Sequence, residues 1–489
     1  MNHRPEQGRL PGDGRLEPDF EQMRSDGYAA IDLLVDHLST LSDRSVGHVG
    51  SAGEMAELFS ADPPDRGRPF TEVLSHARED IFANSLLCNH PRYFAFVPGP
   101  SNFYGVLGDL LASGFNIFTG TWLESSGPAA LELSMIDWLC RTVGLPPQSG
   151  GLFVSGGSVA NLTGLAVARH DRLDDRTDDA VIYCSDQVHA SVDKALFLLG
   201  FGSHQLHRIG TDSEFRLNPD RLRQAIARDR AQGRQPFCVV ANAGSTNTGA
   251  VDPLAPLADI CTQEGMWFHV DGAYGASAAL GRRSGELLAD LGRADSLVLD
   301  PHKWMFQPFE IGAVLVRDKT LLAETFRTSA DYMQDAKTTG QEINFCDHGI
   351  QLSRGFRALK LWVSLQCLGL DAIREAIDRG IVLAEMAARE VQRDDRFEVT
   401  SPACLGIVTF RYVGNRLDGR ARLDEINGAI PHEIMATGEA VVTSTVLDGR
   451  MVLRMCVINP RTSEHDIRRT VTMLADTGDH LARHADGVG

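Results

Sequence analysis

Between residues 151 and 318, short β-rich apolar runs alternate with helix-like stretches, and no other feature constrains the fold of this chain as much. The runs fall at 181–184, 237–241, 266–270, 296–299 and 312–316. Strands spaced in this way by helices predict a mostly parallel sheet with helices on both faces. Ligands collect beyond the strand ends of such sheets. His189, Thr246, Asp271 and Lys303 each fall just after an apolar run, so one pocket at one sheet edge can hold all four.

Two of these residues narrow the chemistry. Asp271 closes the run that leads into Gly272-Ala273-Tyr274, and Lys303 stands in Asp300-Pro301-His302-Lys303-Trp304 after the next one. A lysine amine can hold an aldehyde cofactor as a Schiff base, while a buried carboxylate can keep a pyridine nitrogen protonated. The pairing points to pyridoxal phosphate. The same spacing also arises as an ordinary surface pair in α/β proteins, and what favours a cofactor is its company. Segment 153–161 centres on Ser155-Gly156-Gly157-Ser158, follows an apolar run and opens a helix-like stretch. Its backbone donors are suited to a phosphate at a helix N-terminus, and its glycines allow close approach.

Further motifs recur in order along the chain at 16–20, 90–94, 185–191, 244–246, 352–360 and 453–460. Together they make the chain resemble the group II pyridoxal-phosphate-dependent amino-acid decarboxylases, closest in look to the aromatic-L-amino-acid enzymes. The resemblance implies fold type I, aspartate-aminotransferase-like α/β architecture, with a large, mostly parallel-sheet domain and a small C-terminal α+β domain. It implies decarboxylation of an L-amino acid to its amine and carbon dioxide. For the cofactor it implies Gly157, Ser158, His189, Thr246, Asp271, Ala273, Asp300, His302, Lys303 and Ser353. For catalysis it implies Lys303, Asp271, His189 stacked on the cofactor ring, and Tyr332, a loop tyrosine supplied across a dimer interface to protonate the substrate carbon.

Each of these residues also has a plainer reading. His189 can be a hydrogen-bonded structural histidine, and Thr246 a loop hydroxyl that satisfies backbone. His302 can either fix the lysine loop or line the pocket. Arg454 matches a family arginine close to the substrate, and a structural ion pair accounts for it equally well. Asp300 is a departure, because the aromatic enzymes usually carry asparagine there. A carboxylate repels a phosphate dianion, so Asp300 is expected to turn aside and cap backbone amides.

At 489 residues with 43% hydrophobic content the chain can bury a large core. Its net charge of −18 argues against binding nucleic acid or an anionic membrane. Nine scattered cysteines include no Cys-x-x-Cys pair, so neither a metal site nor a disulfide framework is expected. They read as reduced thiols of a cytoplasmic protein. Residues 1–15 form a polar tail without the apolar stretch of a signal peptide, and no run is long enough to span a membrane. Apolar positions at Tyr28, Ile31, Leu33, Leu34 and Leu38 predict a helix over 20–41 that needs a partner surface. The boundaries drawn are a helical dimerisation segment at 16–100, a cofactor domain at 101–370 with a mobile loop at 328–348, and a small domain at 371–489. A single long helix is expected over 360–393.

Phe96, Pro98, Phe118 and Arg454 are the candidate substrate contacts. Tyr93, Phe94, Phe96, Phe118 and Trp122 can line a pocket for a flat side chain or serve as core. Ser353 resembles a variant associated with phenolic substrates in plant relatives. An aromatic amino acid is the leading substrate, with an acidic or aliphatic one as alternative. Relatives that act as aldehyde synthases often replace the loop tyrosine or the stacking histidine, so Tyr332 and His189 favour simple decarboxylation. A non-catalytic binding protein would have lost Lys303.

Overall fold

The structure is a computed structural model that describes residues 16–327, 335, 342–414 and 420–485. The chain divides into two compact units, Met1–Leu87 and Cys88–Gly489. In the first, the helix anticipated over 20–41 runs Phe20–Ser39, and Asp19 caps it by accepting from the Gln22 amide. A second helix, Ala52–Leu58, starts in a capping box: Ser51 accepts from Glu54 N–H, and Glu54 accepts from Ser51 N–H. None of the residues of Phe20–Ser39 is buried, and Phe20, Tyr28 and Val35 are exposed.

The second unit contains the expected sheet. Its strands are β1 (Gly150–Val154), β2 (Ala180–Ser185), β3 (Leu206–Ile209), β4 (Gln235–Asn242), β5 (Trp267–Asp271), β6 (Ser296–Leu299) and β7 (Gly312–Val316), in the order β1-β7-β6-β5-β4-β2-β3. The pairings from β6 through β5, β4 and β2 to β3 are parallel. β7 runs against both of its neighbours, so β1 points the same way as β6. Sequence reading found five of these strands by their apolar runs and a sixth as the run before the glycines. It missed β3, an edge strand whose middle residues His207 and Arg208 are polar.

Alternation along the buried strands builds a core on each face. Val181 and Tyr183 enter one cluster with Val239, Ala241 and Phe268, while Ile182 and Cys184 enter the other with Val240 and Trp267. A separate antiparallel sheet follows, made of β8 (Phe397–Cys404), β9 (Ile407–Tyr412), β10 (Thr443–Leu447) and β11 (Arg450–Cys456) in the order β10-β11-β9-β8. Helices Leu370–Gln392, Arg420–Ala436 and Glu464–Ala485 pack on it around a third cluster that includes Phe410, Leu453 and Leu474. Residues 90–94 join this part: Phe94 N–H donates to Val441 O, and Cys456 N–H donates to Phe94 O. The helix expected over 360–393 is two helices, Ala358–Leu368 and Leu370–Gln392. Gly369, at φ 75°, breaks them, because side-chain-bearing residues disfavour that backbone region.

One buried ion pair anchors the strand ahead of the glycine segment. Arg354 Nη2 lies 2.5 Å from Glu132 Oε1 and donates to Phe153 O at 2.7 Å, while Phe153 N–H donates to the same Glu132 oxygen at 2.9 Å. Both charged side chains are essentially inaccessible. Removing one partner strands the other's charge in the core. Glu132→Ala should therefore lower unfolding free energy by about 3–5 kcal/mol, and Glu132→Leu with Arg354→Met by distinctly less. Urea denaturation of the single and double variants checks this; equal losses would mean the charges are not the cause.

Candidate active site

Because β1, β2, β4, β5 and β6 all point one way, their carboxyl ends share one edge of the sheet. A cavity of about 310 Å³ opens there. Its wall includes His189 and Thr246, which follow β2 and β4, and Asp271, the last residue of β5. Ala273, Asp300, His302 and Lys303 complete that side. Gly157 and Ser158, at the start of helix Gly157–Leu173, face them. A Cβ at Gly157 would come 3.0 Å from Asp300 Oδ2 and 3.1 Å from Ala273 Cβ, so a side chain there would crowd the cavity.

Asp271 is held from two directions. Its Oδ2 accepts from Asn161 Nδ2 at 2.9 Å, and its Oδ1 accepts from Ala273 N–H at 3.1 Å. The same Asn161 amide nitrogen donates to Ser191 Oγ at 2.9 Å. Ser191 Oγ lies 2.8 Å from His189 Nδ1, which also takes the Ser191 backbone N–H at 3.2 Å as the cap of helix Ala190–Leu198. Behind Asp271, His269 is fully buried, with Nε2 2.8 Å from Asn161 Oδ1 and Nδ1 2.7 Å from Ser296 Oγ. Burial pushes His269 down to about 4, against the opposing pull of the Asp271 charge.

Lys303 Nζ lies 3.1 Å from Asp300 Oδ2. His302 Nε2 lies 3.6 Å from the same oxygen, and its Nδ1 accepts from Ile311 N–H. Burial, ahead of the counteracting Asp300 charge, lowers the pKa of His302. The expectation that Asp300 caps backbone amides is therefore overturned. It occupies the cap position of the short helix Pro301–Trp304 but makes no side-chain cap bond. Pro301 offers no N–H, and the ammonium of Lys303 is the stronger partner. Asp300 Oδ1 is buried and has no hydrogen-bond partner among the described residues.

Five candidates stand away from the cavity wall. Arg454 lies behind it and donates to the carbonyls of Thr246, Asn247 and Phe96 and to Thr443 Oγ1. These acceptors are neutral, so the ion-pair reading gives way to a buried guanidinium satisfied by carbonyls and a hydroxyl. Phe96 is 62% exposed, Pro98 is buried, and Phe118 is half-buried where its backbone bridges Gly355. Ser353 is exposed. Tyr332 lies outside the described residues.

Sequence reading missed Asn161, Ser191, Asn242, Tyr274 and Glu310 on the wall. Asn161 was legible in principle, one helical turn beyond Gly157 on the same face. Tyr274 stacks on Trp304 at 5.1 Å, and its Oη accepts from Gly406 N–H at 2.6 Å. No local pattern marks it or Glu310.

A primary amine and a carboxylate that open on one cavity beside a glycine-led helix N-terminus fit pyridoxal phosphate in its three chemical parts: aldehyde, ring nitrogen and phosphate. The carboxylate of Asp300 is the departure, since it stands beside the cradle with one oxygen unpartnered among the described residues. Residues 52–413 match the pyridoxal-dependent decarboxylase conserved domain, and the chain belongs to that family. It is a pyridoxal-phosphate-dependent amino-acid decarboxylase of fold type I. It is 45% identical to an aromatic-L-amino-acid decarboxylase of Bacillus atrophaeus, over 92% of this chain and 94% of that one. A phenylacetaldehyde synthase of Arabidopsis thaliana is 30% identical over 96% and 99%. The crystal structure of Oryza sativa TDC with PLP and tryptamine superposes with a TM-score of 0.90 at 29% identity, covering 95% of this chain and 99% of that one.

The lowered pKa values of His269 and His302 carry a pH signature. A folded-state histidine held below its unfolded value of about 6.5 is neutral in the fold, so acid favours the unfolded chain, which takes up the proton. Stability should be full above about pH 6.5 and fall as pH drops toward 4, with His269→Leu flattening part of the slope. Denaturant unfolding between pH 7.5 and 5 measures it; a slope unaltered in the variant would remove His269 as a source.

Proposed function

We propose that this chain decarboxylates an aromatic L-amino acid to the corresponding amine, using the cavity at the sheet edge, as a cytoplasmic homodimer with shared active sites. The observation that carries the site assignment is the convergence of Lys303, Asp271 and His189 on one cavity with the Gly157 helix end. The aromatic preference rests on the names of the relatives, above all the Bacillus enzyme. The homodimer rests on the family resemblance and on the apolar surface left on helix Phe20–Ser39, a segment we assign to dimerisation together with residues up to 100. Among the described residues no helix is long and apolar enough to cross a membrane.

Pyridoxal phosphate, when bound, supplies the electron sink that accepts the pair left by the departing carboxylate. Lys303 contributes the amine that tethers it. Asp271, fixed by Asn161 and Ala273, would meet the ring nitrogen as a negative charge already oriented before substrate arrives. The N–H groups at Gly157 and Ser158 would receive the phosphate, with Thr246, Ala273 and His302 as further cofactor contacts from the cavity wall; Ser353, which stands outside that wall, is not assigned a contact by it. His189, on the cavity wall, would lie over the ring face. Phe96, Pro98, Phe118 and Arg454 are assigned to the substrate side from outside the cavity wall, Arg454 by fixing the Thr246 carbonyl and Phe96 backbone. Tyr332 delivers the proton to the substrate carbon, in the partner's site.

Aldehyde synthases among the relatives define the competing outcome. Cofactor-loaded protein incubated with a panel of amino acids should yield amine and carbon dioxide without hydrogen peroxide, fastest with aromatic substrates. Aldehyde with peroxide would replace decarboxylation by oxidative deamination. Lys303→Ala should abolish the visible band near ~420 nm that reports the lysine–cofactor bond. Tyr332→Phe should stop amine release while leaving cofactor binding intact. Mixing Lys303→Ala and Tyr332→Phe chains should restore part of the activity if sites are shared, and none if each chain works alone.

A further inference from the structure

Behind Asp271 a line of hydrogen bonds runs from Trp267 Nε1 to Ser296 Oγ at 2.8 Å, on to His269 Nδ1, and from His269 Nε2 to Asn161 Oδ1. Asn161 then splits the line, one N–H going to Asp271 and one to Ser191, which leads to His189. Trp267, Ser296, His269 and Asn161 are all buried, and of these only Asn161 reaches the cavity.

The direction of every bond is fixed from the two ends. An indole N–H can only donate, so Ser296 Oγ accepts from Trp267 and has its own proton to give. A carboxylate can only accept, so the nitrogen of the Asn161 amide must face Asp271 and its oxygen must face His269. His269 Nε2 is then the protonated nitrogen and Nδ1 the acceptor of the Ser296 hydroxyl, which is the neutral ring that burial favours. The branch is fixed in the same way. The Ser191 backbone N–H can only donate, so His189 Nδ1 is an acceptor and the neutral His189 ring carries its proton on Nε2. With Nδ1 taken by the helix cap, Nε2 is the ring nitrogen left for the cavity.

We propose that Asn161, oriented by the buried Trp267–Ser296–His269 relay, is a positioning residue that couples Asp271 to His189, so that one amide sets both the carboxylate and the histidine tautomer presented to the cofactor ring. The coupling rests on the assignment of this cavity to the cofactor. Flipping the amide would set its oxygen against the Asp271 oxygen and its N–H against His269 Nε2–H, two repulsions for no gain, so the relay resists any single reversal. His269 and Ser296 thereby influence the site without touching it.

The test compares His269→Leu, which removes both bonds, with His269→Gln, whose amide can donate to Asn161 and accept from Ser296. In the full chain without cofactor, nitrogen-15 histidine spectra, with His189 assigned through His189→Gln, should show the Nε2–H tautomer in wild type and a mixture in His269→Leu. In the loaded enzyme, His269→Leu should weaken pyridoxal phosphate binding about tenfold or more and displace the pH midpoint of the visible band, with His269→Gln restoring both. Loss of stability alone, with tautomer, midpoint and affinity unchanged, would overturn the coupling. So would an Nδ1–H tautomer for His189 in wild type. A wild-type chain that shows the expected tautomers but binds no cofactor would instead defeat the site assignment and leave the relay standing.

Discussion

The register between β4, β5 and β6 is the constraint on which the site depends. Asn242 pairs with Asp271 and Asp271 with Val298, so the three strands end in line. Parallel strands that end together present their following loops on one side, and that is why residues far apart in sequence meet at one cavity. Shifting β5 by one residue would turn Asp271 to the opposite face of the sheet and take its carboxylate out of the cavity. The double reversal at β7 matters equally, because it returns β1 to the common direction and so brings the glycine segment to the same edge.

Electrostatically the site is built from fixed donors around few charges. Asp271 receives one amide and one backbone N–H, while Asp300 faces Lys303 directly and leaves one oxygen without a partner among the described residues. The two carboxylates therefore stand in different settings a short way apart on the same wall. Arg454 extends the pattern, since its charge is spread over carbonyl and hydroxyl acceptors that belong to the segments around Thr246 and Phe96. A guanidinium used in this way fixes backbone on both sides of it.

How much was legible follows from how local each signal is. The buried strands announced themselves because a strand covered on both faces is a continuous apolar run. β3 did not, because an edge strand with His207 and Arg208 need not be apolar. Gly157, Asp271 and Lys303 sit in short motifs whose chemistry can be named from residue type alone. The choice of partner for Asp300 could not be named, because capping and ion pairing are both open to a carboxylate until the lysine's position is known. The Gly369 break was missed for a related reason: a glycine in a helical pattern is tolerated or not according to the φ the surroundings impose.

By itself the sequence determined the α/β class and the cofactor chemistry and nominated residues to carry it, because periodicity and functional groups are properties of short segments. Only the tertiary structure decided that Asn161 joins Asp271 to Ser191, that His269 and Trp267 stand behind them, and that Arg454 meets carbonyls in place of a carboxylate. Hydrogen bonds of this kind link residues tens to hundreds of positions apart, and their direction depends on which donor faces which acceptor. No local pattern encodes that, since it exists only once the sheet has closed on both of its cores.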